Sequence, residues 1–503
     1  MASDAVGNER ISRVVGYKLT KGNFALTSPN LPQRIAILGE ANNQNQASLS
    51  LTPKEITSAQ QAGQLYGFGS PIYHMTRILR PINGDGVGGI PVIVYPQAEA
   101  PGAVAKVFRI NPSGVATGSG VHKLRIAGRD GIDGLFYDIN IVAGDTAATI
   151  AQKIANAINA VLGAPVLAFY SGYNVICTTK WKGLTANEVN ASIDVGDNAF
   201  GLTYAVQTVV AGSGTPSVQA ALDQFGASWN TIVVNSYGLE ATTMTLLETF
   251  NGIPNPTTPT GRYAALVTKP FIAISGSISD DVSATTDLRL DNVTIAVAPA
   301  PGSSGFSFEA AANMTYLFAI QAQQSPNLDV AGQSYPDMPT PTSIGSMATY
   351  TNRDAFVKKG LSTVDLVAGK YQVQDFVTTY HPVGEIVPQY RYCRNLNIDW
   401  NVRYGYYLLE QTYVVDHSIA RDDDFVSADK VIKPKQWKGV LDAYADDLSA
   451  RALTVDADFM QASITVNISS TNPDRLETFF KYKRSGFTRI SSTTAEAGFN
   501  FGG

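Results

Sequence analysis

An α/β rhythm opens this chain, breaks off at residue 97, and resumes after residue 216. Arg34-Ile35-Ala36-Ile37-Leu38-Gly39 has the length and apolar character of a buried strand. Residues 54–66 and 71–80 read as helices. In the second, Ser70 is an N-cap, Pro71 takes the first helical position, and Ile72, Met75, Ile78 and Leu79 share one face. Pro91-Val92-Ile93-Val94-Tyr95 is the next strand, which completes a β-α-β opening. From 97 to 216 the pattern turns to short strands (123–127, 135–142, 173–178) around one helix. That helix is capped at Asp145-Thr146, carries Ile150, Ile154, Ile158 and Val161 at helical spacing, and ends at Gly163 and Pro165. After Gly212-Ser213-Gly214 the alternation returns. It places helices at 217–225, 240–250 and 308–323, and strands at 231–234, 263–268, 271–275 and 292–297. The economical reading is one α/β domain, 26–96 plus 217–340, interrupted by an inserted mostly-β domain at 97–216. Exposed loops whose ends lie close together accept such insertions.

Asp337-Met338-Pro339-Thr340-Pro341 is a linker by composition. It leads to a C-terminal α+β domain at 341–486. A short helix is predicted at 354–360, strands at 362–367 and 371–379, a long helix at 391–418, and a last helix from Pro434 to about Arg451. The end of the chain, 461–503, is strand-like without a helical cap. Ile464, Val466 and Ile468, then Phe479 and Tyr482, then Phe487 and Ile490, recur near two-residue spacing, and Phe499 is the last apolar anchor. Residues 1–25 are polar and hold one short strand candidate, Ile11-Ser12-Arg13-Val14-Val15. Segments of this kind either complete their own sheet or pair with another chain. Residues 487–503 read as an arm that pairs with another chain, and residues 1–25 read either as a frayed terminus or as an arm that docks on a neighbour. The predicted fold class is a multidomain α/β and α+β chain: an interrupted α/β core domain, an inserted mostly-β domain and a C-terminal α+β domain, with termini open to strand exchange.

A chain of 503 residues exceeds one hydrophobic core. Its formal charge of −5 gives no pull toward nucleic acid. Charged residues make up only 16%, a weakly solvated surface of the kind buried between subunits, though also common in secreted β-proteins. Cys177 and Cys393 stand in unrelated contexts, where two free thiols are favoured over a disulfide. The N-terminus lacks the pattern of a secretory signal, and no apolar run is long enough to span a bilayer. Synthesis in a cytoplasm without membrane insertion is expected.

The chemistry-bearing residues form no constellation. His74, His122, His381 and His417 fall at no metal-ligand spacing and have no cysteine pair beside them. The run Gly84-Asp85-Gly86-Val87-Gly88-Gly89 lacks the Lys-Ser/Thr of a phosphate loop, and it precedes a strand instead of following one. Ser277 has no nucleophile-elbow frame. Arg421-Asp422-Asp423-Asp424 lacks calcium-loop spacing and reads as a solvated turn. No catalytic, cofactor or metal residue is predicted. Lys430, Lys433, Lys435 and Lys438 cluster at the start of the helix at 434, against its dipole, which a binding role and chance placement on a solvated face explain equally well.

Phe356-Val357-Lys358-Lys359-Gly360-Leu361-Ser362-Thr363-Val364, then Lys370 to Thr379, then Tyr390-Arg391-Tyr392-Cys393-Arg394-Asn395-Leu396-Asn397 form a run of lysine-glycine, strand, turn, strand ending in threonine, and an Arg/Tyr-rich helix. This run resembles contractile tail sheath proteins of phage tails and related injection machines. Arg34 to Ala41, Thr52 to Gly67 and Pro91 to Tyr95 resemble the opening of Mu-like sheaths. The region around Ala143-Gly144-Asp145-Thr146 resembles their decorating domain. The chain departs from the pattern at Tyr371-Gln372-Val373, where many relatives show a glycine-tryptophan-glycine-like turn.

The resemblance implies a structural protein, not an enzyme, that polymerises as stacked hexameric rings around a tail tube. Such a sheath shortens to drive the tube through a cell envelope. Its implied partners are further copies, the tube protein, and baseplate and tail terminator proteins. It would reside in the virion tail after assembly in a host cytoplasm. Arms at Ile11, Arg13, Val14 and Val15 and at Phe487, Ile490, Thr493 and Phe499 would exchange strands between subunits, and Lys430, Lys433, Lys435 and Lys438 would face the tube. The rival readings are a secreted fibre or adhesin-like protein and, more remotely, an α/β hydrolase.

Overall fold

The computed structural model describes residues 29–264, 268–341, 343–385 and 388–499. The predicted N-terminal arm, with Ile11, Arg13, Val14 and Val15, lies outside the described residues. The described chain forms two compact units, one of residues 31–401 and 484–499, the other of 29–30 and 402–483.

The larger unit begins with β1 (Ile35–Glu40), β2 (Lys54–Glu55), α1 (Ala59–Tyr66), α2 (Pro71–Leu79) and β3 (Val92–Gln97). The predicted helix at 54–66 is shorter than expected. Its first residues pair with β3 as an edge strand, and the helix starts where the Ser58 side chain caps the Gln61 N–H. The Ser70 and Pro71 start of α2 is as predicted.

Next come β4 (Ala105–Ser113), β5 (Gly120–Ile126), β6 (Gly131–Ile132), β7 (Leu135–Phe136), β8 (Asp138–Ile141), α3 (Ala147–Ala160), β9 (Val166–Ser171), β10 (Asn174–Lys182), β11 (Ala191–Asp194) and β12 (Thr203–Val210). These form a four-stranded sheet, β12-β4-β10-β9, and a three-stranded sheet, β11-β5-β8, with α3 packed on strands of both. Ile150, Ile154 and Ile158 of α3 are fully buried.

The chain then returns through α4 (Gln219–Asp223), β13 (Ile232–Asn235), α5 (Ala241–Asn251), β14 (Ile272–Ser277), α6 (Ser283–Asp287), β15 (Ile295–Pro299) and α7 (Ser307–Gln324). Strands from both sides of the interruption share one sheet, ordered β15-β14-β13-β1-β3-β2 and parallel except for β2. Among the parallel strands this is the 2-1-3-4-5 order of a doubly wound fold, with its switch point between β1 and β13. All five parallel strands are buried along their length, which is why they read as unbroken apolar runs. The strand expected at 263–268 is not formed at its described residues. Gly261–Tyr263 is a 3-10 turn instead, with Gly261 at φ +54 and pressed against the backbone of α5.

The larger unit ends with α8 (Tyr350–Lys358), the hairpin β16 (Thr363–Val367) and β17 (Lys370–Asp375), and α9 (Cys393–Tyr413). Ala368 and Gly369 turn the hairpin, both at positive φ. The strand expected at 371–379 stops at Asp375; Thr378 and Thr379 then bond Arg391 and Ile295.

The division between the units falls within α9. The smaller unit holds its later turns, then β18 (Ser418–Ile419), β19 (Val431–Ile432), α10 (Pro434–Ala450), β20 (Thr454–Val455), α11 (Ala457–Ser463), β21 (Thr465–Ile468), β22 (Leu476–Phe479) and β23 (Lys483–Arg484). The long helix stops at Tyr413, short of the expected 418, because Asp416 adopts φ +60, which no right-handed helix accommodates. Ile432, Trp437, Leu441 and Ile464 form the core here, covered by Tyr406, Val466, Leu476 and Phe480.

Candidate assembly surface

Hydrogen-bond alternation decides what the edges of the smaller unit expose. Ser469 donates to the Arg475 carbonyl at 2.8 Å, which continues the β21–β22 ladder by one pair. In an antiparallel pair, bonded and non-bonded residues alternate. Thr465 and Asn467 therefore bond within the hairpin, while Val466 and Ile468 turn their N–H and C=O groups outward. Across from them, Ser418 donates to Lys430 and Ala420 to Ile432 in the parallel β18–β19 pair. Ile419 between them directs its backbone groups the other way. Among the described residues neither edge has a further strand. Ile419 to Asp424 and Val466 to Thr471 line a common groove of about 780 Å³. Ile419, Val466 and Ile468, the residues with outward backbone groups, line it together with the acidic residues Asp422, Asp423 and Asp424 at one end.

The acidic end is Asp422-Asp423-Asp424, which the sequence presented as a solvated turn. The Asp422 carboxylate accepts the Lys435 N–H at 2.9 Å, so it caps the N-terminus of α10 and complements the helix dipole. The four lysines divide. Lys433 Nζ donates to the carbonyls of Asp422 and Asp424, tying the turn down. Lys438 pairs with Asp442 at 2.8 Å and donates to the Gln461 carbonyl at 3.1 Å. Lys430 and Lys435 are exposed.

Of the predicted C-terminal exchange residues, Phe487 lies against its own subunit, 5.8 Å from the Arg394 guanidinium. Arg484 grips Asp399 through two 2.6 Å bonds. Arg394 donates to the Ser485 carbonyl and hydroxyl at 2.9 and 2.6 Å. Every residue from Ile490 to Phe499, Thr493 included, is exposed and outside any helix or strand.

The carboxyl ends of the parallel strands, where open α/β sheets receive ligands, are furnished by the chain itself. Glu240 accepts the N–H groups of Thr242 and Thr243 at the start of α5. Glu188, carried by the inserted region, accepts the Ser307 N–H at the start of α7, at 2.8 Å. Both helix N-termini already hold carboxylates.

Cys177 and Cys393 are buried free thiols, and burial pushes Cys177 up to about 12. His122 is a core residue, its Nδ1 2.6 Å from the Tyr204 hydroxyl and its ring stacked on Phe200. His381 sits 3.0 Å from Asp287. Sequence reasoning found the Val466–Ile468 alternation. It missed Asp422, Glu188 and the arginine contacts, whose partners lie too far along the chain for a local signal.

No family model matches the chain. A tail sheath protein of the Mu-like prophage FluMu from Haemophilus influenzae is 28% identical over 185 residues, covering 36% of this chain and 36% of that protein. The chain thus matches about a third of the length of that curated relative. Among solved structures, a sheath tail protein from Desulfitobacterium hafniense is similar at 13% identity and TM-score 0.44, covering 93% of this chain and all of that one. A sheath tail protein from Listeria innocua is similar at 10% identity and TM-score 0.41, over 91% and 93%. The contracted helical sheath of the anti-feeding prophage is similar at 8% identity and TM-score 0.42, over 97% and 99%. Across its matched stretch, this mixed α/β chain is similar to a Mu-like prophage tail sheath protein.

Proposed function

We propose that this chain is the structural subunit of a contractile tail sheath. Copies stack as rings around a tube and rearrange to drive it through a cell envelope. The chain performs no catalysis. The observation that carries the reading is the groove lined by β18 and β21, two edge strands whose outward backbone groups have no further strand among the described residues. Its occupant is the N-terminal arm of a second copy. Residues 10–21 carry Arg10, Arg13, Lys18 and Lys21 and no acidic residue, which complements Asp422-Asp423-Asp424. Ile11, Arg13 and Val15 alternate with Ser12 and Val14, as a strand in such a slot requires.

One inserted strand forming roughly four to six backbone bonds, each worth about 0.5–1.5 kcal/mol net, holds weakly. Repeated around a closed lattice the same bond becomes multivalent, and release demands many simultaneous losses. In this reading 26–96 with 217–340 is the subunit body and 97–216 an outer decoration. Ile490, Thr493 and Phe499 belong to the second exchanging arm, and Phe487 anchors its base on its own subunit. Lys430 and Lys435 reach the tube, and Lys433 and Lys438 shape the surface that presents them. The baseplate and a tail terminator bound the polymer.

Deletion of residues 1–20 tests the proposal. The truncated chain is expected to stay folded and monomeric by size exclusion and circular dichroism, while the full chain forms tubes in negative stain. Normal tubes from the truncated chain contradict it. Reversing charge at Lys430 and Lys435 is expected to abolish co-sedimentation with tube protein and to leave tube formation by the sheath intact; unchanged co-sedimentation removes the tube assignment.

A further inference from the structure

The C-terminal segment is held to its own subunit at one place by a side-chain arrangement that strand exchange does not require. The Arg489 guanidinium lies 3.6 Å over the Tyr392 ring. It is paired with Asp329, whose side chain is 2% exposed, and with Asp375 at 3.4 Å. Phe487 closes another side at 5.1 Å. An aromatic floor with two carboxylate walls is the chemistry that selects a planar, delocalised cation over an ammonium. Asp329 left alone would be a nearly buried unpaired charge, so the arrangement is complete only with a guanidinium in it.

We propose that Tyr392, Asp329 and Asp375 form a guanidinium socket that fixes where the C-terminal arm leaves the subunit. The exposed arm then starts at Ile490, not at Phe487. This inference rests on the sheath reading for its purpose but not for its geometry. Upstream, Arg484 on Asp399 and Arg394 on Ser485 align the same segment, and the socket is the last fixed point before ten consecutive exposed residues. Residues 490–499 extend at most about 36 Å from that point. Opening the socket back to Ser485 frees four more residues, 486–489, up to about 14 Å of slack. A set reach selects one neighbour, because effective concentration is highest when a tether matches the span it must cross. The socket is therefore a positioning device for the exchanged strand.

The test uses the full-length chain under non-polymerising conditions and follows hydrogen exchange of residues 484–499. Arg489→Ala is expected to raise exchange at 486–489 at least tenfold, with the global unfolding midpoint nearly unchanged. Methylguanidinium at 20 mM is expected to restore most of the protection, and methylammonium at the same concentration none. Arg489→Lys, which keeps the charge and is the safer variant for folding, is expected to behave like Arg489→Ala. Unchanged exchange in Arg489→Ala overturns the socket. So does protection that is lost but indifferent to methylguanidinium, since ordinary packing would then explain it. If the socket behaves as expected but wild-type chain never forms tubes, the sheath reading fails and the socket stands.

Discussion

The Glu188 carboxylate accepts the backbone N–H of Ser307 at 2.8 Å, so the inserted region supplies the anion at the start of α7. That position lies at the carboxyl end of the parallel sheet, where a doubly wound fold ordinarily holds a ligand. Burial pushes Glu188 up to about 7, against the Ser307 hydrogen bonds that favour its charge. The folded state thus holds a proton more tightly than the unfolded chain. The group's contribution to stability is complete below its ordinary value near 4.5 and is lost as pH rises through about 7.

Glu188→Gln keeps an acceptor oxygen for Ser307 and removes the charge. At pH 8 it is expected to be more stable than wild type by about 1–2 kcal/mol, and at pH 5 nearly equal to it. Denaturant midpoints at both pH values check this. Lower stability at pH 8 means that the helix-end charge outweighs its burial.

Gly276 permits the close contact of β14 with α7. A Cβ there would lie 1.7 Å from the Ser307 carbonyl oxygen, with backbone on both sides of the clash. Gly276→Ala is expected to cost about 3 kcal/mol. Gly439, within α10, faces open space. Gly439→Ala is expected to gain up to about 1 kcal/mol through helix propensity. Thermal melts of the two variants should move in opposite directions.

Four charges join the inserted region to the α/β body. Arg77 of α2 and Arg129 each contact both Glu309 of α7 and Asp337. Burial alone would raise Asp337, but the two arginines hold it below its usual range. Its contribution is therefore present at neutral pH and lost on acidification. Removing the fully buried partner in Glu309→Ala leaves two arginines short of a counter-charge. The expected loss is about 3–5 kcal/mol, measured by chemical denaturation.

The groove makes a positional prediction. Proline at Ile468 removes an N–H that faces the slot and leaves the β21–β22 bonds in place, whereas proline at Asn467 breaks the hairpin ladder itself. Ile468→Pro is expected to retain the wild-type melting temperature within a few degrees and to lose polymerisation. Asn467→Pro is expected to lose both. Tubes formed by Ile468→Pro remove this edge from the interface.

Local chemistry was legible from residues alone. Ser70-Pro71 starts α2, and the apolar run at 35–39 becomes β1 because a parallel sheet buries both faces. The helix overrun past Tyr413 traces to a left-handed residue, Asp416, and the turn at Gly261–Tyr263 to another, Gly261, whose conformations apolar spacing does not encode. At the assembly surface the alternation of Val466 and Ile468 was visible. In sequence the lysines stand uncompensated against the dipole of α10, because Asp422, which caps that helix from across a turn, has no helical spacing to it. Arg489 and Asp329 stand 160 residues apart, and only the folded chain brings them together.

A helical reconstruction of polymer grown from the purified full-length chain tests the central claim most directly. The account predicts a foreign strand, residues 11–15 of a neighbouring copy, hydrogen-bonded to Val466 and Ile468 on one side and to Ile419 on the other. A polymer in which that slot is empty, or filled by the arm of the same subunit, contradicts it.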